Sequence, residues 1–203
     1  VYKRQGPDEA RLAWLAERRL GVGGSDVAGI LGCSPWESPW SIWADKVGEL
    51  PLDRPGTLAM RIGKALEPEV AAEFTAATGL LVAGEQTIVR RPGTVHFATV
   101  DGFVLEGEGS ALADALGVFE AKTTREDPWE VLPHHYALQA QWALWCADME
   151  RAWVTAVFLA RGTSAIYDVE RDDALIAEAV AAVDHFWATY VLPRRPPPSD
   201  GSY

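Results

Sequence analysis

Val118-Phe119-Glu120-Ala121-Lys122, set against the earlier Val100-Asp101-Gly102, is the pair of segments on which the fold turns. Side chains alternate along a strand, so Glu120 and Lys122 share one face while Phe119 and Ala121 share the other. One face reads as polar, the other as core. Val100-Asp101-Gly102 lies in a second apolar, β-prone run. If the two strands pair, Asp101 comes beside Glu120 and Lys122, giving two carboxylates suited to Mg²⁺ or Mn²⁺ with an ammonium next to them. That set suits metal-dependent phosphodiester hydrolysis: the cation activates water and stabilises charge in the transition state, while Lys122 holds or deprotonates the attacking water. By itself D…E-x-K reads more readily as a surface ion pair, so the neighbouring segments decide.

The loop over 106–116 is rich in Gly, Ala and acids and reads as a connection between these strands. Before it, Glu85 to Arg91 reads as a strand ending in a Pro92-Gly93 turn, and Val95 to Val104 reads as the next strand. Gly63 to Gly79 reads as a long helix with Leu66, Val70, Ala71 and Phe74 on one face. Glu67 borders that stripe, where it can reach a metal site beside the sheet. Ser38-Pro39 opens another helix that stops at Gly48. Residues 8–20 form a first amphipathic helix behind Asp8, ending at Arg18 and Arg19. Gly21-Val22-Gly23-Gly24-Ser25-Asp26 then leads into a short helix that Ser25 is expected to cap. A glycine turn entering a helix presents backbone N–H groups to an anion, and with Arg19 close by that anion would be phosphate.

After the third strand, Pro133 to Ala147 is helical and carries Gln139, whose amide can bond a phosphate or orient Lys122. Arg151 to Ala160 and Ala165 to Glu170 read as a hairpin through Arg161-Gly162-Thr163, and Asp172 caps a last helix reaching Tyr190. The chain as a whole is expected to form one domain over 1–191 with a Pro-rich, extended or disordered tail over 192–203. His96 and the tryptophans Trp36, Trp40 and Trp43 read as packing residues.

With 203 residues and 48% hydrophobic content, one well-buried domain is possible and two large ones are not. Cys33 and Cys146 are far apart and belong to no C-x-x-C, which argues against a zinc or iron–sulfur site. No apolar run reaches the ~18 residues of a membrane span. No basic-then-apolar leader opens the sequence either, so a soluble, cytoplasmic protein with no membrane partner is expected. A net charge of −11 excludes a broadly basic surface, so positive charge for a nucleic acid would have to be concentrated locally.

Taken together, the segments Arg19-Leu20-Gly21-Val22-Gly23-Gly24-Ser25-Asp26, Gly63-Lys64-Ala65-Leu66-Glu67-Pro68, Asp101-Gly102, Glu120-Ala121-Lys122 and Gln139-Ala140-Gln141 resemble the PD-(D/E)XK nuclease core. More narrowly, they resemble the phage lambda-type exonucleases and YqaJ-like viral recombinases, over about residues 10–190. Val100 stands where that family has proline before the first acid. The resemblance implies an α/β (α+β) restriction-endonuclease-like fold, a central mixed sheet of about five strands flanked by helices, over a single nuclease domain. It implies Asp101 and Glu120 as ligands of Mg²⁺ (or Mn²⁺), with the Ala121 carbonyl completing the set. Glu67 would support a second ion or its waters, and Lys122 would position the nucleophile. Arg19, Ser25 and Gln139 would hold a terminal 5′-phosphate. The implied reaction is degradation of linear double-stranded DNA from the 5′ end to 5′-mononucleotides, leaving a 3′ overhang for recombination. The implied partners are duplex DNA ends, a single-strand annealing protein and a homotrimeric ring. Two rivals remain at this stage: an endonuclease or repair-type nuclease on the same fold, and a non-catalytic DNA-binding protein with a relic site.

Overall fold

A bend at Asp101 divides what reads in the sequence as one strand into two, and the halves join different sheets. The structure, a computed structural model, describes residues 9–198. Its helices are α1 (Glu9–Arg19), α2 (Gly24–Ile30), α3 (Pro39–Lys46), α4 (Leu58–Thr78), α5 (His134–Ala147) and α6 (Asp173–Phe186). Its strands are β1 (Leu81–Ala83), β2 (Thr87–Arg90), β3 (Phe97–Val100), β4 (Gly102–Leu105), β5 (Gly117–Thr124), β6 (Arg151–Phe158) and β7 (Thr163–Glu170). The main sheet runs β1-β4-β5-β6-β7, and β2 and β3 form a separate pair. Only β5 and β6 are parallel, and α5 makes the crossover between them, as a parallel pair requires. This is the five-stranded mixed sheet flanked by helices that the sequence leads one to expect.

The helix starts follow from side-chain caps. Ser38 accepts the Ser41 N–H at 3.2 Å ahead of Pro39, and Asp172 accepts the N–H groups of Ala174 and Leu175, each at 3.0 Å. Thr57 does the same for Met60 at 3.2 Å, so α4 begins at Leu58, a turn before the expected Gly63. Gly79, at φ 76°, stops it in the left-handed conformation. The short helix α2 is not capped by Ser25: Gly23 holds the cap position, and Asp26 Oδ2 accepts the Gly23 N–H at 2.9 Å. The expected Asp8 cap of α1 lies outside the described residues. Past Phe186 the last helix continues as a π turn over Trp187–Val191. Residues 195–198 of the expected tail form no regular secondary structure, with Pro197 buried, while 199–203 lie outside the described residues.

Alternation along β5 sets the layers. Phe119 and Ala121 face α4 and pack with Val70, Phe74, Val104 and Trp153. Val118, on the opposite face, joins the main core with Val100, Ala140, Trp142, Ala143 and Val154. Glu120 and Lys122 share that opposite face, so it is not an open polar surface: α5 covers it, and Glu120 is only 5% exposed. The tight α2–α5 contact depends on Gly24, where a Cβ would come within 3.2 Å of Gln139. His96 is a packing residue, 2% exposed. Its Nδ1 accepts from Trp145 at 3.2 Å, which leaves Nε2 to donate to Asp184 at 2.8 Å. Trp43 is likewise buried, whereas Trp36 is 68% exposed and lies edge-on to His135. Cys146 is in the main core and Cys33 is half-buried.

Candidate active site

The pairing Gly102↔Phe119 brings the end of the bend against the middle of β5. Asp101 Oδ2 accepts the backbone N–H of Ala121 at 3.0 Å, which fixes the first acid beside the Glu120-Ala121-Lys122 strand. From the other side α5 delivers Gln139. Its Nε2 donates to Glu120 Oε1 at 2.5 Å and its Oε1 accepts from Lys122 Nζ at 3.1 Å, while Lys122 also bonds Glu120 Oε1 at 2.5 Å. Glu120, Lys122 and Gln139 are thus one closed triangle. Lys122 Nζ lies 4.9 Å from the Tyr136 ring centroid, one helical turn before Gln139.

Glu67 comes from α4 and joins through Gln86, whose Nε2 donates to Glu67 Oε2 at 3.3 Å and to Asp101 Oδ1 at 3.1 Å. Asp101, Glu120, Glu67, Gln139 and Ser25 all line one cavity of about 170 Å³. Of the residues singled out in the sequence, Asp101, Glu120, Ala121, Lys122, Glu67 and Gln139 are brought together, and Ser25 faces them from α2.

Arg19 is not in this cavity. Its guanidinium bonds Asp45 at 3.0 Å and the Leu50 carbonyl at 2.9 Å, tying α1 to α3. The cavity is lined instead by Arg18, whose Nη1 donates to Thr99 at 2.7 Å and whose guanidinium stacks on Trp14 at 4.7 Å. The physical reason is the helical period. Trp14 and Arg18 are four residues apart on one face of α1, and Arg19 is turned about 100° away from it. The sequence reading missed Trp14, Arg18, Thr99 and Gln86. The W-x-x-x-R spacing was the signal for the first two.

Electrostatics mark the cluster as short of positive charge. Burial, and then the neighbouring Asp101 carboxylate, pushes Glu120 up to about 7. Glu67 is raised by burial and by Asp101 in the same way. Burial works to lower Lys122, but Glu120 and Asp101 outweigh it and hold the ammonium above its ordinary value. Behind the Arg18 side, Lys46 and Asp26 form a buried pair at 2.7 Å. Burial alone would raise Asp26, but Lys46, the Gly23 N–H and Arg18 together bring it below the usual carboxylate range.

These residues fit a hard divalent cation. Asp101, Glu120 and Glu67 offer oxygen donors, and the buried Glu120 and half-buried Glu67 each ionise less readily because of burial and then of Asp101. Among the described residues no three Asp, Glu, His or Cys side chains converge closely enough to hold an ion by themselves. The remaining donors would be the Ala121 carbonyl and water, as is usual for Mg²⁺, which keeps much of its hydration.

The chain is 33% identical over 199 residues to the protein YqaJ of Bacillus subtilis (strain 168), covering 95% of this chain and 60% of that protein. The chain therefore spans somewhat less than two thirds of that relative. Its fold is similar to an alkaline exonuclease, LHK-Exo, from Laribacter hongkongensis (TM-score 0.68, 24% identity, 87% of this chain and 90% of that one). It is also similar to a phage-related exonuclease from Haemophilus somnus 129PT (TM-score 0.60, 14% identity, 86% of this chain and 96% of that one). These likenesses show the PD-(D/E)XK-type fold. The model of the YqaJ-like viral recombinase domain matches residues 13–150, from α1 through β4, β5 and α5, and the chain belongs to that family.

Proposed function

We propose that the protein is a metal-dependent deoxyribonuclease that removes nucleotides from the 5′ end of linear duplex DNA. The observation that carries this reading is the convergence of Asp101, Glu120 and Gln139 from three separate segments on one cavity that Arg18 and Ser25 also line, with Lys122 bonded to both Glu120 and Gln139. The exonucleases of similar fold support it, and one of them, LHK-Exo, has a structure in complex with dAMP.

Asp101, Glu120 and the Ala121 carbonyl would hold Mg²⁺ or Mn²⁺, with Glu67 supporting a second ion or its waters. When bound, the cation supplies Lewis-acid polarisation of the phosphodiester and acidification of water. Lys122, kept charged by its acidic neighbours, acts as a hydrogen-bond donor that holds the nucleophilic water. Gln139 fixes the direction of that ammonium through its 3.1 Å bond. Arg18, already braced by Thr99 and Trp14, offers its remaining N–H groups to a terminal phosphate, and Ser25 offers a hydroxyl beside it. On this reading the products are 5′-mononucleotides and a 3′ overhang, which a single-strand annealing protein would take up. A closed homotrimer would confine the duplex despite the net charge of −11.

The test is a digestion of linear duplex and covalently closed circular DNA with Mg²⁺. Loss of the linear form alone, faster with 5′-phosphorylated ends, is the expected result. Equal cleavage of the circle would replace the exonuclease by an endonuclease. No cleavage by the folded, Mg²⁺-supplied protein would remove the enzyme reading.

A further inference from the structure

Gln86 reaches into the acid cluster from an unusual backbone position. It is one of few described non-glycine residues with positive φ (56°), and it lies within a turn that Thr87 closes by donating its hydroxyl to the Gly84 carbonyl at 2.6 Å. A glutamine in the left-handed region is held there against its own preference. The result is that its side chain points into the cavity it lines. There one amide nitrogen donates to both Glu67, at 3.3 Å, and Asp101, at 3.1 Å. Its oxygen accepts from Lys64 Nζ at 3.1 Å. These three partners settle which end is which: two acceptors require the NH₂ and the ammonium requires the carbonyl.

We propose that Gln86 is a built-in cation surrogate, its amide engaging the Asp101 and Glu67 oxygens that a divalent cation and its waters would use, so that it must withdraw before the ion is bound. The inference rests on the metal-dependent reading of the site. An N–H donor pointing at two carboxylate oxygens supplies partial positive charge between Glu67 and Asp101, and it uses oxygen lone pairs that a cation also needs. An amide hydrogen and a metal ion cannot share them. Gln86 therefore stabilises the metal-free protein and weakens its affinity for the ion. Lys64, an exposed residue of α4, fixes the orientation that makes it a competitor.

The experiment is a Mg²⁺ titration of thermal unfolding in the wild type, Gln86→Met and Gln86→Asn. Met matches the length of the side chain without the donor, and Asn retains the preference for positive φ, so that one of the two keeps the fold. Removal of the donor in Gln86→Met, and its retraction by one methylene in Gln86→Asn, are expected to lower the metal-free midpoint temperature and to reduce the Mg²⁺ concentration for half-maximal stabilisation, by about five- to tenfold for Gln86→Met. An unchanged Mg²⁺ midpoint in both variants overturns the surrogate role. A higher one overturns it too, and makes Gln86 a ligand. If the wild type gains no stability from Mg²⁺ at all, the metal reading of the site falls and this inference with it.

Discussion

Asp101 accepts the main-chain N–H of Ala121 at 3.0 Å, so the first acid is positioned by the backbone of the strand that carries the second. That bond makes the distance between the two motifs a property of the sheet rather than of flexible side chains. Asp101→Asn preserves the carbonyl acceptor and the bend while removing a charge. Nuclease activity is expected to fall at least about 10²–10³-fold, with the thermal midpoint of the metal-free protein equal to or above that of the wild type. A folded D101N protein with wild-type activity would show that Asp101 carries no ion.

Lys122 is held by Glu120 and Gln139, and on the proposed reading its loss removes the donor to the water but no metal ligand. Lys122→Ala is expected to lower kcat about 10²–10³-fold with little change in KM for DNA. Gln139→Ala leaves the ammonium present and misdirected, so a smaller loss in kcat is expected. Steady-state kinetics on a labelled duplex separate the two.

Glu120 gives the metal-free protein a defined pH dependence. Its carboxyl is raised in the folded state from about 4.5 to about 7, mainly by burial and then by Asp101. A carboxyl whose folded value lies above its unfolded one penalises folding where it ionises. The penalty is absent below about 4.5 and complete above about 7. Metal-free stability should therefore rise as pH falls from 8 to 5, by on the order of 3 kcal/mol from this group. Glu120→Gln should flatten that slope, as should Mg²⁺ by favouring the ionised form. Chemical denaturation at several pH values with and without EDTA checks the sign.

The two adjacent arginines should separate cleanly. Arg18→Ala is expected to erase the preference for 5′-phosphorylated over dephosphorylated ends, seen in kcat/KM for the two substrates. Arg19→Ala should keep that preference and cost stability, because its guanidinium binds Asp45 and the Leu50 carbonyl. The reverse pattern would return the phosphate role to Arg19.

Lys46 and Asp26 are buried together at 2.7 Å, with Lys46 only 4% exposed. Removing one partner strands the other charge, so Lys46→Ala is expected to cost about 3–5 kcal/mol in denaturant unfolding. The double replacement by apolar residues of similar volume should recover much of this.

The alternation of Glu120 and Lys122 against Phe119 and Ala121 was legible in the sequence because period two is a property of any strand. The same reasoning could not tell that α5 would bury the acid-bearing face, since burial depends on what packs across from it. The run over 95–104 looked continuous although it holds Asp101-Gly102, a turn dipeptide, at which the chain bends and passes from one sheet to the other. The Thr57 cap was present in the sequence and would have lengthened α4. Arg18 was one helical step from Arg19, and only the shared face with Trp14 distinguishes them. Gln86 had no local signal: a glutamine before a strand becomes notable only once its φ and its two carboxylate partners are known.

Anomalous diffraction from crystals of the wild-type protein soaked in Mn²⁺ tests the shared-ion claim most directly. A peak about 2.1–2.3 Å from carboxylate oxygens of both Asp101 and Glu120, and within reach of the Ala121 carbonyl, is the predicted result. A fully soaked crystal with no peak between those two side chains, or with manganese bound only elsewhere, would contradict it.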